Sequence, residues 1–480
     1  MNNSQIIHGV LSTSRYLPRL RLERSSIFAE HRWMAQGLKS LAKGRRTVAN
    51  WDEDSVTMAV EAARALLANF SGARPVELTL ASTTLPFVER INAGIVASAL
   101  GFGNELAVRD VTSSARAAFT EVVSALRHAV PEHRVILGAE RRVARPASTQ
   151  EMIFGDGAAG VLIGFGPAIA TYVASHSVQA DFVDHFRESG SDYDYGWEER
   201  WVRDEGYMKI VTGAIAKCLT SAGLAASDVA HFAMPAPLSR VNEAVAKRAG
   251  IRPEAVVPTD FESVGDLGSA QPLAMVDTAL RTAAPGALIL VVAFGSGCDA
   301  LLLRRTEEPI SERAADDGRS ETSYMKYLSF TGQIALEWGM RAEIDNKTAL
   351  TAAWREGAKI SHFEGGCCSD CGTVQFPRSR VCVNPECRAQ DTQDAKSLAN
   401  VPAHVLSHTS DWLAYTPCPP FQFGHIDFEG GGRVLMEFAD TDPDELQVGL
   451  PLRMVFRVKD FDSKRGFRRY FWKATPARGQ

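Results

Sequence analysis

Four cysteines near residue 370 have the spacing of a metal site. Cys368 and Cys371 enclose two residues, and after ten further residues Cys382 and Cys387 enclose four. Two such cysteine pairs on a short hairpin can present four thiolates tetrahedrally to Zn2+. An ion with four protein ligands is structural rather than catalytic. Five of the chain's eight cysteines fall in this cluster, which disfavours the alternative of unliganded thiols. The neighbouring Cys367 leaves open which of the two adjacent thiols binds.

A second candidate for chemistry is the stretch 181–207, which is dense in ionisable and aromatic side chains, unlike a solvated run of charges. We predict that its general acid/base groups are His185, Tyr195, Glu199 and Tyr207. The alternative interpretation is a buried structural network of paired charges.

A third candidate is the segment 110–119, called the elbow below, where an extended run meets the start of a helix across small residues. Small residues suit a tight strand-to-helix turn. The helix dipole and free N–H groups at such a turn lower the pKa of a thiol placed there. Ser113, Ser114 and Ala115 occupy this turn, so it carries no thiol.

The elements around these residues alternate between strand and helix over residues 1–305, which predicts an α/β core with a mostly parallel or mixed sheet. The same alternation of strands and helices recurs in the second half of that region. Residues 306–322 are rich in Glu, Arg, Asp and Ser and are predicted to be a linker. A helical connector at 323–364 follows, with predicted helices at about 323–339 and 347–357. The predicted zinc ribbon covers 365–395, and short strands over 396–480 predict a small β-barrel.

The composition limits the partners and the cellular location that we expect for this chain. The chain has 480 residues, 45% of them apolar and 23% charged, with a net charge of −5, so nothing argues for nucleic acid as a general partner. No apolar run approaches the roughly 18 residues of a membrane span, and the N-terminus lacks a signal-peptide pattern. We therefore expect a cytoplasmic protein with no membrane partner.

The first 305 residues resemble the thiolase superfamily, in particular the ketoacyl synthase III and HMG-CoA synthase branches. The elbow, the Gly-Asp-Gly-Ala-Ala-Gly run at 155–160, the Phe-Gly-Ser-Gly turn at 294–297 and the region 181–187 carry the resemblance. It implies a duplicated α/β core that acts on acyl-CoA and dimerises. It also implies that the backbone at Gly295 and Gly297, together with the elbow at Ala115, lies near the reacting thioester.

Four catalytic positions of that family are changed here. The nucleophilic cysteine falls on Ala115, the histidine on Pro235, the asparagine on Asp266 and the HMG-CoA synthase glutamate near Thr83. His231 lies four residues before Pro235 and could substitute for the histidine, although a lone histidine there is more often structural. Ser113 and Ser114 are weak nucleophiles unless a base is in reach.

The last third of the chain resembles the zinc-ribbon/OB-fold family called DUF35, known as a partner of thiolase-like enzymes. The segments 371–377 and 428–433 carry this resemblance, which covers about 323–475. Basic and aromatic residues interleave over 464–473, as in single-strand binders. A barrel strand with a solvated basic face is favoured because the rest of the chain is acidic. A third interpretation is that this strand approaches the phosphates of coenzyme A.

Three functions are compatible with these features. The first is aldol or retro-aldol cleavage of a 3-hydroxyacyl-CoA, which needs a base and an oxyanion hole but no nucleophile. Thiolase-like proteins paired with DUF35 partners include such enzymes. The second is an acyltransferase that condenses through Ser114 or by direct transfer between thioesters. The third is a non-catalytic scaffold that binds CoA esters. The implied partners are an acyl-CoA substrate and a second copy of the chain.

Overall fold

The computed structural model describes residues 7–337, 349–442 and 444–478. Fourteen strands lie within residues 7–321: β1 Ile7–Tyr16, β2 Leu20–Glu23, β3 Arg45–Val48, β4 Glu77–Ala81, β5 Ala107–Val111, β6 Arg134–Glu140, β7 Gly157–Gly166, β8 Ala170–Gln179, β9 His185–Phe186, β10 Tyr195–Gly196, β11 Val229–Ala233, β12 Leu288–Phe294, β13 Gly297–Arg305 and β14 Arg319–Glu321.

Eleven α-helices accompany them: α1 Arg24–His31, α2 Ser55–Leu67, α3 Asn92–Ala99, α4 Ala117–Arg127, α5 Thr149–Ile153, α6 Glu199–Trp201, α7 Thr212–Ala222, α8 Val241–Ala249, α9 Phe261–Val264, α10 Gln271–Thr282 and α11 Tyr324–Phe330. Short 3-10 turns and one π-helix, Val202–Val211, complete this region. Helix α2 starts where it does because the Asp54 carboxylate accepts the N–H groups of Val56 and Thr57, while the Thr57 hydroxyl accepts the Asp54 N–H.

Nine of these strands form one sheet in the order β11-β12-β13-β8-β1-β7-β6-β4-β5. The pairs β4–β5, β4–β6 and β11–β12 are parallel, and the remaining pairs are antiparallel. Strands β7 and β12 are almost wholly buried, because helices cover both faces of the sheet.

The sheet consists of two halves with the same plan. Counted outward from the centre of the sheet, each half has two antiparallel strand pairs followed by one parallel pair. The strand order is β1-β7-β6-β4 in one half and β8-β13-β12-β11 in the other. Helices α2, α3 and α4 of the first half correspond to α7, α8 and α10 of the second. The edge strand β5 corresponds to a parallel bridge between Phe232 and Val256. The predicted duplicated α/β core is confirmed.

The predicted linker and connector differ from the structure in detail. Residues Arg319–Glu321 form β14, which pairs in parallel with β2, so the end of the 306–322 segment adds a strand to the first domain. A helix predicted at 323–339 is α11, which ends at Phe330, and Gly332 follows it with φ of +73°. Residues 338–348 lie outside the described ranges. The second predicted helix corresponds to α12, Leu350–Arg355, and α13, Gly357–Ser361.

The described part of the C-terminal third has eight strands: β15 Glu364–Cys368, β16 Val374–Gln375, β17 Gln393–Ser397, β18 Ala403–Asp411, β19 Phe421–Phe428, β20 Arg433–Glu437, β21 Pro451–Asp462 and β22 Phe467–Pro476. They form two small sheets. The ribbon sheet has the order β16-β15-β17, and a five-stranded sheet has the order β20-β19-β18-β21-β22. A bridge between Phe438 and Ala474 brings the two edges of the latter together as a barrel, which agrees with the predicted OB fold.

The barrel packs on helix α2 of the first domain, and one hydrophobic cluster runs through both. Arg64 of α2 donates to the carbonyl oxygens of Ala399 and Met454 and lies over the ring of Trp472. The α2 side chain of Glu61 pairs with Arg453. These contacts hold the barrel beside the end of the sheet that carries the elbow.

Candidate functional site

The elbow is a strained turn between β5 and α4. Ser113 adopts a φ of +81°, which is uncommon for a residue with a side chain and occurs at functional turns. The half-buried Ala115 follows, and α4 begins at Ala117. The backbone N–H of Ala115 makes no hydrogen bond to any residue in the described ranges. It is therefore a free donor at the positive end of an eleven-residue helix.

The Gly295–Gly297 turn lies against the elbow. The Ser114 hydroxyl donates to the carbonyl oxygen of Gly295 at 3.2 Å, and Arg116 donates to the same oxygen at 2.7 Å. A side chain at Gly295 would put its Cβ 3.0 Å from the Ser114 oxygen, so glycine permits this close approach. Arg116 is itself fixed by the buried carboxylate of Asp299 at 2.5 Å.

The same turn contacts an aspartate–histidine pair. Asp184 accepts the Ser296 N–H at 3.4 Å through one oxygen and lies 2.6 Å from His185 Nδ1 through the other. Burial lowers the pKa of His185, but the hydrogen bond and charge of Asp184, with the charge of Asp194, outweigh this and leave the pKa above its usual 6.5. This arrangement orients the imidazole and stabilises its protonated form.

Tyr207 lies next to this pair on the π-helix. Its ring packs on Phe294 with centroids 4.8 Å apart, and the residue is only 5% exposed. Its hydroxyl makes no hydrogen bond within the described part of the chain. Burial, followed by the charges of Asp184 and Asp266, raises the pKa of Tyr207 far above 10, so near neutral pH the group stays protonated and can donate a hydrogen bond but cannot act as a base.

The structure does not bring Tyr195 and Glu199 to His185. In the β9–β10 hairpin, Gly196 is opposite His185, and Tyr195 is opposite Phe186. Cross-strand partners share a face and neighbours alternate, so the Tyr195 ring lies on the other face of the hairpin, where it is 57% exposed and contacts Phe186. Glu199 starts helix α6 and is exposed.

The other family positions carry structural contacts. Asp266 accepts from the buried Arg142 at 3.0 Å, and Thr83 donates through its N–H and hydroxyl to the buried Glu140. His231 lies on the edge strand β11, and burial lowers its pKa. The sequence does not predict the contacts of Asp266 and Thr83, because their partners are distant along the chain.

No described cysteine lies at the elbow. Cys298 on β13 and Cys218 on α7 are both buried, and burial raises the pKa of both, that of Cys218 to about 11. Ser114 is engaged with Gly295, and its hydroxyl contacts no basic side chain among the described residues. The elbow therefore offers backbone donors rather than an activated nucleophile.

The ribbon cysteines meet as the spacing predicts. The sulfur atoms of Cys368, Cys371, Cys382 and Cys387 lie within 4.8 Å of one another. Tetrahedral coordination with bonds of about 2.3 Å needs sulfurs about 3.8 Å apart, so the four fit one Zn2+. The Cys367 sulfur lies outside this group, 3.6 Å from the carbonyl oxygen of Gly372.

None of the described helices is long and apolar enough to span a bilayer.

Comparison with known proteins agrees with this architecture. Residues 219–304 match the C-terminal model of 3-oxoacyl-(acyl-carrier-protein) synthase III. Residues 355–393 match the ChsH2 rubredoxin-like zinc ribbon domain, and residues 395–457 match the ChsH2 C-terminal OB-fold domain. The chain joins a thiolase-like domain to a ChsH2-type zinc ribbon and OB fold. The predicted architecture and a structural zinc ion are thereby confirmed.

Curated relatives of the thiolase-like domain are hydroxymethylglutaryl-CoA synthases. That of Methanopyrus kandleri is 28% identical over 319 residues, which cover 64% of this chain and 90% of the relative. That of Aeropyrum pernix is 26% identical over 354 residues, which cover 71% and 95%.

Solved structures show the same fold. The 3-oxoacyl-(acyl carrier protein) synthase III FabH of Pseudomonas aeruginosa has a TM-score of 0.56 and 21% identity, covering 63% of this chain and 99% of that one. MvaS in complex with 3-hydroxy-3-methylglutaryl coenzyme A has a TM-score of 0.58 and 15% identity, covering 68% and 92%. At these identities, the likeness concerns the fold alone.

Proposed function

We propose that this chain makes or breaks a carbon–carbon bond of a 3-hydroxyacyl-CoA by aldol chemistry, without an acyl-enzyme. The observation that carries the proposal is the position of the Asp184–His185 pair. It contacts the Gly295–Gly297 turn, and the elbow beside that turn lacks a thiol. The hydroxymethylglutaryl-CoA synthase relatives also act on CoA thioesters, as their names state.

In the cleavage direction, neutral His185 removes the proton from the 3-hydroxyl group. The oxygen electron pair forms the carbonyl of the released aldehyde or ketone as the C2–C3 bond breaks. The electron pair of that bond moves into the CoA thioester as an enolate, and the imidazolium returns the proton to C2. The protein ends in its starting state, so the step needs no oxidant or cofactor. The Asp184 carboxylate stabilises the imidazolium between the two transfers.

Two donors are available for the oxygens of the reaction. The free N–H of Ala115 at the start of α4 is suited to the enolate oxygen, because a helix N-terminus stabilises negative charge. The Tyr207 hydroxyl remains protonated and can donate to the oxygen on C3 as the carbonyl forms. Tyr195 and Glu199 have no role in this scheme because the structure keeps them on the exposed side of the hairpin and helix.

The test follows products and protein together. Full-length protein is incubated with 3-hydroxyacyl-CoAs of different chain lengths and ring substituents, and both small molecules and intact protein mass are measured. A shorter acyl-CoA and a carbonyl product with unchanged protein mass are expected. Free CoA with an acyl adduct on the protein would reject the proposal. Binding without turnover across the panel would favour a scaffold.

A second candidate is a condensing acyltransferase, favoured by the hydroxymethylglutaryl-CoA synthase relatives. It would need an acyl acceptor, and Ser114 is the hydroxyl closest to the family position. Ser114→Ala should abolish a serine-dependent acyltransferase. In the aldol scheme it removes a hydrogen bond to Gly295 and should lower the rate by less than about tenfold, consistent with one neutral hydrogen bond. The rates of product formation in this variant separate the two functions.

We also propose a homodimer formed through the thiolase-like domain. Strand β5 is an edge of the nine-stranded sheet, and its outer side pairs with no strand of residues 7–337, 349–442 or 444–478. Unpaired edges readily add a strand from a second copy. Light scattering with size-exclusion chromatography should give twice the 52.2 kDa chain mass. Replacement of Arg109 on β5 by proline should reduce the mass to that of one chain.

A further inference from the structure

The turn beside the elbow has an unusual backbone. Gly295, Ser296 and Gly297 all have positive φ values, of +159°, +47° and +119°. Glycine adopts such values readily, whereas a residue with a side chain does so only at a cost in free energy. Ser296 is therefore strained, and a strained backbone persists only where the surrounding structure determines it. Contacts from outside the turn must hold this residue.

One side chain contacts the turn on both sides of Ser296. The Arg116 guanidinium donates through Nε to the carbonyl oxygen of Gly295 at 2.7 Å. Through one terminal nitrogen it donates to the carbonyl oxygen of Ser296 at 3.3 Å. These two carbonyl groups belong to the two planar peptides that flank the Ser296 Cα atom, so fixing both restricts its φ and ψ. The planar guanidinium suits this task because its donors have a fixed geometry.

The guanidinium is itself held in place. Its other terminal nitrogen lies 2.5 Å from the carboxylate of Asp299, which is fully buried on β13. The same carboxylate oxygen accepts the hydroxyl of Thr120, on the first turn of α4, at 2.6 Å. The Arg116 side chain is only 15% exposed. A side chain fixed by a helix and a strand in this way can fix the group to which it donates.

The conformation of Ser296 determines where its N–H points. That N–H donates to one carboxylate oxygen of Asp184 at 3.4 Å, and the other oxygen lies 2.6 Å from His185 Nδ1. Among the described residues, the Asp184 carboxylate has no further hydrogen-bond partner. Without the Ser296 N–H, His185 alone would hold this carboxylate, and the orientation of the imidazole would be less defined.

We propose that Arg116 is a positioning residue, which holds Ser296 in its strained conformation and thereby keeps Asp184 in place beside His185. This inference rests on the proposed function for the role of His185 as the base. The alternative role for Arg116 is an ion pair with Asp299 that only stabilises the fold. The two roles need different properties of the side chain. An ion pair needs one positive charge, whereas positioning needs a fork that reaches two carbonyl oxygens.

The experiment compares Arg116→Lys and Arg116→Met with the parent protein. Lysine keeps a positive charge for Asp299, but one ammonium group does not reproduce the geometry of the fork. Methionine removes the charge as well. The control is Arg127→Met at the end of α4, where the arginine is exposed and donates to Ser175.

The first readout is backbone hydrogen exchange of the full-length protein, measured by mass spectrometry on peptides that cover residues 294–297. Arg116→Lys should accelerate exchange in this segment by about tenfold, as for the loss of one hydrogen bond, and leave the urea midpoint of unfolding near that of the parent. Arg116→Met should accelerate exchange similarly and also lower the urea midpoint, because the ion pair is lost. Arg127→Met should change neither quantity.

Parent-like exchange in Arg116→Lys would overturn the inference, since a positive charge alone would then suffice. Faster exchange throughout the domain, or loss of folding, in Arg116→Lys would overturn it too, because the role would be structural in general. Should Arg116→Met fail to fold, Arg116→Lys alone decides.

The second readout is turnover, measured with any 3-hydroxyacyl-CoA that the parent cleaves. Arg116→Lys should lower kcat by about 10- to 100-fold and leave KM within about twofold, because misplaced groups slow the chemical step without weakening substrate binding. An unchanged kcat beside a loosened turn would contradict the positioning role. Failure of the aldol proposal gives a different result, since no protein would cleave a substrate although exchange in the turn still rises in Arg116→Lys.

Discussion

At the scale of single residues, the proposed chemistry depends on the titration of His185. Its neutral form is the base, and Asp184 with Asp194 raises its pKa above 6.5. Activity should therefore fall as the pH decreases, with kcat/KM following an apparent pKa above 6.5. His185→Gln should lower kcat/KM by about 10²- to 10⁴-fold, the usual contribution of a general base. The measurement is the pH profile of carbonyl product formation.

Two further variants make this prediction specific. In Asp184→Asn the hydrogen bond and charge that raise the His185 pKa are lost while burial still lowers it, so the acidic limb should move to lower pH. His231 has a pKa below 6.5 because of burial. A limb below 6.5 that persists in His185→Gln and disappears in His231→Gln would assign the base to His231 instead.

The sequence predicted which stretch holds the acid/base candidates but could not rank them. The ranking of the candidates follows from the strand register, which places Gly196 opposite His185 and turns Tyr195 to the exposed face. The two strands of this hairpin have only two residues each, so the sequence shows no periodicity that would predict their register. Tyr207 belongs to a π-helix, whose hydrogen-bond pattern the usual helical spacing does not reveal.

At the scale of elements, strand β15 decides which adjacent cysteine faces the metal. Consecutive residues of a strand point to opposite faces, so Cys367 and Cys368 cannot both reach the other sulfurs. Cys368 does so. Cys368→Ser should therefore lower the zinc content from about one ion per chain to near zero, since serine is a poor zinc ligand. Cys367→Ser, the matched control, should retain the metal. Zinc is measured by elemental mass spectrometry of the purified variants, and the reverse pattern would contradict the assignment.

The elements themselves were largely predictable. Alternating strands and helices indicated the α/β core, and turn-bounded short strands indicated the barrel. The linker prediction differed because the pairing of β14 with β2 joins segments almost 300 residues apart, which composition cannot reveal. The same limit applies to the Glu140–Thr83 contact beneath the site, where both partners look ordinary in the sequence.

At the scale of the whole molecule, buried charges join the barrel to the first domain. Arg457 of β21 is fully buried and lies 2.6 Å from Asp440 of the barrel and 3.2 Å from Glu53, just before α2. Lys473 of β22 contacts Asp52 at 2.9 Å. Each carboxylate before α2 is thus matched by a cation some 400 residues later in the chain, so the two domains are expected to unfold together.

Arg457→Leu tests this coupling. Removal of the guanidinium leaves Glu53 and Asp440 buried without their cation, which should lower the free energy of unfolding by about 3–5 kcal/mol. Arg453→Leu is the control, because Arg453 is partly exposed and its partner Glu61 keeps Arg64, so the cost should be at most about 1 kcal/mol. Urea unfolding of zinc-loaded protein, followed by tryptophan fluorescence and circular dichroism, measures both. Two separate transitions in the parent would contradict the joint unfolding of the two domains. Equal losses in the two variants would show that the apolar contacts with α2, rather than this network, hold the barrel.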